Sequence, residues 1–586
     1  MNLTKSYYNQ FLRMLIVTIA SGLVAGQVIA TDSSLQNKEK SAPDLETRQM
    51  VTVYPGHNDA EGQEQTPSPE MLRLGARMYR EGILPSGEPM KASNKEEIQS
   101  NSTAFSCVSC HMRGGLGSIE GGITTPPAAG IKLFQPAYTG TILSPSSKRP
   151  RKHFVINPTR RPAYTEESLA VALRDGLNPT GRKLDDVMPR YNLQDKDMAI
   201  LISYLKSLSA NVSPGVDETT LRLGTIIADD VSPETRKAIL DPLDNFIAAR
   251  NNQDKVYEAR TKYMRNGGFF EEGNLAYRKL SLARWELKGP PATWRNQLEE
   301  WNRKEPVFAF IGGITTGEWQ PIHDFCEAHQ IPCLFPFTDF PVISATDWYT
   351  MYFSKGLYQE GEAAARFLDS AKGSSHESRV VQVVSNSREG QVLAAGFTET
   401  WLELGNPPPV TIPLQNNETV SSDALQQLLA GHNPSAILFW TGPEILPGLQ
   451  AMAQKPQTPQ MLVVSSGYLK SALWSLPDQA RAITFITYPY RLPDKPSADS
   501  DSLPIAALKA KAITEVLQLG LSMMNRNFYR DTFFDVISMI QDQTPQAYER
   551  LNFAPGQRYA SKECNIVQLT QGKNPVLVKK NVGISF

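Results

Sequence analysis

The sequence predicts a multidomain chain, with an all-α domain near the N-terminus and a larger α/β domain with parallel sheets after it. Three observations carry this. The 586 residues exceed what one hydrophobic core organises. Before about residue 212 the periodic stretches are helical, separated by long connections rich in Pro and Gly. From about Ser213 onward, short apolar β-rich runs alternate with amphipathic helices. Composition is that of an ordinary globular protein, and the formal net charge of −1 gives no basic surplus for nucleic acid.

The first thirty residues read as a targeting segment. Lys5 and Arg13 supply positive charge, Met14–Val28 is apolar but short for a bilayer, and Val28-Ile29-Ala30 offers a small-residue cleavage site. The mature chain is expected to start at Thr31 with no stable membrane anchor; an uncleaved anchor is the alternative. Residues 31–66 are polar and read as a flexible leader. The expected domains are 67–212 and 213–586.

Ser68-Pro69-Glu70 opens a helix with an N-cap, an early proline and an acid at the positive dipole end. Met71, Leu74 and Met78 form its apolar stripe, and Gly82 ends it. Gly75 inside that helix costs roughly 1 kcal/mol relative to Ala, which suggests a close helix crossing. Further helices are expected over 164–176, with Thr165 as N-cap, and over 194–209, where Met198, Leu201, Ile202, Leu205 and Leu208 share a side. The second is the expected partner at Gly75, with Tyr79 and Tyr204 near the contact.

Between these helices lies Cys107-Val108-Ser109-Cys110-His111. C-x-x-C-H is the attachment pattern for c-type haem. Two thiols add across the vinyl groups, and the adjacent histidine is placed to ligate the iron. Zinc needs further ligands, and the sequence has no second Cys pair. A thioredoxin-like site belongs at a strand-to-helix junction of a βαβ unit, which this is not. One covalent haem c is therefore expected, on Cys107 and Cys110 with His111 as axial ligand. The Pro- and Gly-rich stretch 122–161 reads as a long loop wrapping a rigid group. Met188 is the candidate sixth ligand. It follows the haem run at the length of a small cytochrome and precedes Pro189, which holds it in extended backbone. Met90, Met198 and His153 are the competitors.

In the second half, strands are expected over 222–228, 279–285, 307–311, 333–337, 380–384, 436–440, 461–465 and 483–487, with helices between. The helices are 233–250, 293–303, 317–329, 357–370, 390–404 and 421–430, and a hairpin closes the chain at 564–579. Cys326 and Cys333 are close enough in sequence to pair in an oxidising compartment; buried free thiols are the alternative.

These motifs carry two resemblances. The Gly75/Tyr79 helix, the Cys107–His111 run with Gly114-Gly115-Leu116-Gly117, and Met188-Pro189-Arg190-Tyr191 before the Tyr204-Leu205 helix resemble a class I cytochrome c domain. Residues 213–586 resemble the two-lobed type I periplasmic binding proteins, in the branch with branched-chain amino-acid receptors. The stretches concerned are Phe308–Gly313, Gln330–Cys333, Gly356–Leu368 and Gly556–Ser561. That resemblance implies a cleft between lobes, lined by the loops after the strands, where open α/β sheets place ligands. Thr315, Thr316, Thr338 and Tyr468 are candidates to hydrogen-bond a small polar ligand there, and Glu444 to pair with a cation. Each also reads as an ordinary helix-capping loop residue.

The resemblances imply an exported bacterial protein of the periplasm. Its expected work is one-electron transfer through a His/Met-ligated haem, to a partner such as a dehydrogenase, cytochrome or oxidase, with a fused recognition or docking module. The alternative is a transporter-type solute receptor or redox-linked sensor whose ligand occupancy is coupled to the haem. A haem-linked dehydrogenase is disfavoured: residues 213–586 hold no G-x-G-x-x-G, H-E-x-x-H or G-x-S-x-G, and His323, His329, His376 and His432 are scattered. A non-enzymatic electron carrier fits better than an enzyme.

Overall fold

In the computed structural model, the chain divides after Thr66, and Pro67–Phe586 forms one compact unit. The structure describes residues 67–585 apart from 94–99, 102–105, 121–122, 140–158, 266–277, 345, 372–378, 415–424, 426, 428, 430, 433, 454–460, 493–503, 525–526, 555 and 581–583. The expected targeting segment and leader, His153, His376 and most of the 421–430 helix lie outside the described residues.

Helix α1 (Pro69–Glu81) starts at Ser68, whose hydroxyl accepts the Met71 N–H, and ends at Gly82 in the left-handed region. Strand β1 is Lys91–Ser93, helix α2 is Val108–His111, α3 is Glu166–Arg174, β2 is Arg190–Tyr191 and α4 is Asp195–Ser207. Helices α1 and α4 cross at Gly75. A Cβ there would lie 2.4 Å from the Tyr204 Cβ and 2.8 Å from the Ile200 carbonyl oxygen, so only glycine fits without a shift. The Tyr79 and Tyr204 rings sit 5.5 Å apart beside the crossing. The all-α expectation for this region is incomplete. β1 pairs antiparallel with β2, and further two-to-three-residue strand pairs join 118–120 to 123–125 and 137–139 to 159–161. Segments this short carry no readable alternation.

The α/β half has two lobes. The first contains β3 (Thr220–Ala228), α5 (Pro233–Arg265), β4 (Lys279–Leu287), α6 (Trp294–Lys304), β5 (Ala309–Ile311), α7 (Gln320–Ala328), β6 (Cys333–Leu334) and β7 (Thr350–Met351). Its parallel sheet has the order β7-β6-β5-β3-β4. The second contains α8 (Leu357–Ala371), β8 (Val380–Ser385), α9 (Arg388–Glu403), β9 (Val410–Leu414), β10 (Ala436–Trp440), α10 (Leu446–Ala453), β11 (Met461–Ser465) and β12 (Thr484–Tyr488). The chain then returns to the first lobe for α11 (Ile505–Met523) and α12 (Arg530–Ser538), and crosses again for β13 (Glu563–Leu569) and β14 (Leu577–Lys579). The second sheet has the order β9-β8-β10-β11-β12-β13-β14, with the last two strands antiparallel.

Both sheets bury apolar residues on both faces, as parallel sheets must. Two of the lobe crossings pair with each other: the Tyr352 N–H donates to the Arg558 carbonyl at 2.8 Å, and the Ser561 N–H to the Phe353 carbonyl at 2.6 Å. Cys326 and Cys333 are fully buried side by side in the first lobe as free thiols, as is Cys564 in the second.

Candidate functional site

The short turn α2 sets the first site. Cys107, Cys110 and His111 stand at i, i+3 and i+4, so one helical turn presents all three to one side. They line a cavity of about 770 Å³ together with Tyr79, Leu173, Met188, Tyr191 and Leu205. That volume falls within the roughly 300–1,000 Å³ of small-molecule and cofactor sites. The stretch from Ile123 to Ala128 forms another wall. Leu133 also lines the cavity, so part of the described stretch of the expected long loop faces it.

His111 is fixed by its backbone surroundings. Its Nδ1 lies 2.8 Å from the Pro126 carbonyl oxygen. A carbonyl only accepts, so Nδ1 carries the proton and Nε2 keeps its lone pair. Burial holds the imidazole pKa below its ordinary value, with the Pro126 bond opposing, which favours the neutral form a metal ligand needs. The Cys107 thiol is buried against the Tyr191 hydroxyl, and burial pushes its pKa up to about 12. Redox-active or zinc-binding thiols need the opposite, a readily formed thiolate. Among the described residues no cluster of three or more His, Cys, Asp or Glu is placed to hold a metal ion. A neutral Cys107 thiol with the exposed Cys110 three residues on, an imidazole whose Nε2 keeps its lone pair, and an apolar slot fit a covalently attached haem.

Met188 is half-buried against the surrounding core and is the one methionine among the residues lining the cavity. Met90 and Met198 are buried in the core of the helical region instead. The Met188 N–H donates to the Asp185 carbonyl at 3.1 Å, and the Met188 carbonyl accepts from the Arg190 guanidinium. The arrangement holds the backbone of the loop on both sides of the thioether.

The second place is the junction of the lobes. Thr315 is buried and donates to the Glu318 carbonyl at 3.2 Å; the Thr316 hydroxyl donates to Asp230. Thr338 accepts the Phe340 N–H at 3.0 Å, and Glu444 accepts the Gly442 N–H at 2.8 Å. The Tyr468 hydroxyl lies 2.5 Å from that of Ser387. Each candidate side chain thus has a local partner, and among the described residues no hydrogen bond joins the five to one another. Across the lobes, the Arg388 guanidinium sits over the Phe340 ring at 4.5 Å and 3.8 Å from the Glu318 carboxylate.

Two groups at this junction are not singled out by sequence spacing. Lys509, near the start of α11, places its ammonium 5.3 Å from the Phe337 ring centre and 5.9 Å from that of Tyr490. Burial pulls its pKa down, with Asp339 opposing. Glu360 in α8 is buried beneath the ends of β11 and β12. It accepts from Ser465 Oγ at 2.9 Å, Thr487 Oγ1 at 2.7 Å and the Gly467 N–H at 3.1 Å. Burial pushes its pKa up to about 7 despite these donors. Neither belongs to a motif. Their only signal in the sequence is a charged residue inside an otherwise apolar helical stripe.

Comparison with known proteins places the α/β half. Residues 263–515 match the family model described as periplasmic binding protein. The α/β half that contains this match has the two lobes described above. Solved structures similar to the chain include a transporter substrate-binding protein from Sphaerobacter thermophilus (13% identity, 62% of this chain and 98% of that one, TM-score 0.47). A branched-chain amino acid transporter protein from Rhodospirillum rubrum gives 12% identity over 61% of this chain and 100% of that one, with a TM-score of 0.45. A solute-binding protein from R. palustris in complex with benzoate gives 12%, 63%, 98% and 0.42 for the same measures. No curated protein matches the chain. Among the described residues no helix is long and apolar enough to cross a membrane.

Proposed function

We propose that this chain is an exported, haem-bearing solute receptor of the periplasm, in which a small ligand between the lobes and the redox state of the haem are linked. The observation that supports it most is the convergence of Cys107, Cys110, His111 and Met188 on one apolar cavity, in the same compact unit as a binding-protein half. Cys107 and Cys110 would hold one haem c covalently, with His111 and Met188 as axial ligands. When bound, the haem supplies a one-electron iron couple. The Pro126 carbonyl orients the His111 ring and raises its basicity. The Met188 thioether favours the reduced state. Lys509 would favour a ligand with negative charge, since the acid that acts on it, Asp339, also pairs with Lys470 at 3.7 Å.

Plain electron transfer is the second reading. Ile123 and Val187 line the cavity yet are 43% and 52% exposed, so its rim meets solvent, where an outer-sphere partner could approach. Linked receptor and simple carrier separate in one experiment. The full chain, matured with haem, is titrated potentiometrically with and without a small carboxylate that raises its melting temperature. A receptor of the proposed kind shows a ligand-dependent midpoint potential, because linkage is reciprocal. Equal potentials at saturation would leave the carrier reading.

A further inference from the structure

The loop that follows His111 is held by the binding-protein half. Arg113 and Gly114 turn away from α2 after Met112, which adopts a φ of 63°. Their N–H groups point at one carboxylate: Asp535 of α12 accepts from Arg113 at 3.2 Å and from Gly114 at 2.6 Å. One turn earlier, Asp531 takes Arg80 at 3.0 Å, Arg113 at 3.4 Å and the Tyr349 hydroxyl at 2.8 Å. The Arg113 guanidinium lies over the Trp348 and Tyr349 rings at 4.7 and 5.0 Å. Gly114 has no room for a side chain: a Cβ would sit 2.6 Å from Thr532 Oγ1 and 2.7 Å from its backbone nitrogen. On the other side of the loop, Tyr79 donates to the Met112 carbonyl at 2.7 Å and Ser209 to the Gly114 carbonyl at 2.8 Å.

Without Asp535 the two N–H groups would lose the acceptor they share, and a buried orphan donor is costly. We infer that Asp535 and Asp531 are positioning residues for the haem-attachment loop, so that helix α12 of the binding-protein half fixes the backbone beside His111. Helix α12 packs in turn on α11, where Gly520 admits Ile537 so closely that a Cβ would lie 2.4 Å from its Cδ1. Helix α11 carries Lys509 at the lobe junction. The seam therefore places the haem loop two packed helices from the ligand side. The redox consequence rests on the haem reading; the clamp itself does not.

The test is Asp535→Asn in the full chain, matured with haem, with Asp531→Asn as a second variant and the exposed Asp241→Asn as control. Two readouts are taken. Amide hydrogen exchange over residues 111–117 should speed up roughly tenfold or more in Asp535→Asn. The midpoint potential and the Soret circular dichroism should both shift, with covalent haem retained. Asp531→Asn should shift both readouts less, because the two backbone bonds remain, and it serves alone should Asp535→Asn not fold. The control should match the wild type. Haem present with unchanged exchange and unchanged potential would overturn the inference. Faster exchange in a chain that carries no haem would keep the clamp and remove the haem reading.

Discussion

His111 Nδ1 faces the Pro126 carbonyl at 2.8 Å, and that single contact sets which imidazole nitrogen keeps its lone pair. The residue supplying the carbonyl is fifteen positions away, in the Pro- and Gly-rich stretch. The loop thus orients the histidine rather than acting as a spacer.

Replacing Met188 by Ala should lower the midpoint potential and produce a high-spin haem. On the proposed ligation the thioether would close the sixth position and favour reduced iron. Visible and electron paramagnetic resonance spectra of the oxidised variant check this. An unchanged low-spin spectrum would remove Met188 from the iron.

Gly75→Ala should destabilise the helical region by about 1–3 kcal/mol, because the new methyl meets the Tyr204 Cβ and a backbone carbonyl rather than a flexible chain end. Denaturant unfolding followed by haem absorbance reports it. A change below about 0.5 kcal/mol would mean that the α1–α4 crossing relaxes freely.

Glu360 makes stability fall with rising pH. Burial raises its pKa from 4.5 to about 7 in the folded state. Between those values the native chain holds a proton that the unfolded chain has lost, so stability declines as pH rises from about 4.5 to 7. The full penalty, roughly 3 kcal/mol, is present above pH 7. Asp535 adds the same sign, since burial also raises its pKa to about 7. Glu360→Gln should flatten the slope across this window and leave the variant at least as stable as the wild type at pH 8. A melting-temperature series from pH 4.5 to 8 gives the comparison. An unaltered slope would place the titration elsewhere.

Lys509→Met should weaken binding of an anionic ligand about 10- to 100-fold, the worth of one charge-assisted contact. Isothermal titration of the full chain against the carboxylate found by thermal shift measures it. At about 100 times its dissociation constant such a ligand adds roughly 2.7 kcal/mol, which a melting curve resolves readily. Undiminished affinity in the variant would move the anion site away from α11.

The repeating strand and helix pattern of the second half was legible because each run is bounded and apolar. Ala436–Trp440 and Met461–Ser465 fall where the pattern puts them. Helices α11 and α12 were not picked out of the sequence. Ile505–Met523 buries a wide apolar face and leaves only a narrow exposed stripe of Lys511, Glu515, Gln518 and Ser522. Arg530–Ser538 is rich in Thr, Phe, Val and Ile, residues that favour strands until tertiary packing overrides them. The site followed the same division. Cys107, Cys110 and His111 are contiguous, so their chemistry shows in the sequence. The clamp from Asp535 to Gly114 spans more than four hundred residues and is a property of the fold alone. The five cleft candidates were chosen as loop positions, and loop position does not reveal that each already has a partner.

The most direct test is the covalent haem itself. The full chain is expressed with a haem-attachment system and run on a denaturing gel stained for haem peroxidase activity, with its intact mass measured alongside. The account predicts one haem per chain, lost in the Cys107→Ser, Cys110→Ser double variant. A wild-type chain that matures without haem, or carries zinc on the two thiols, would contradict it.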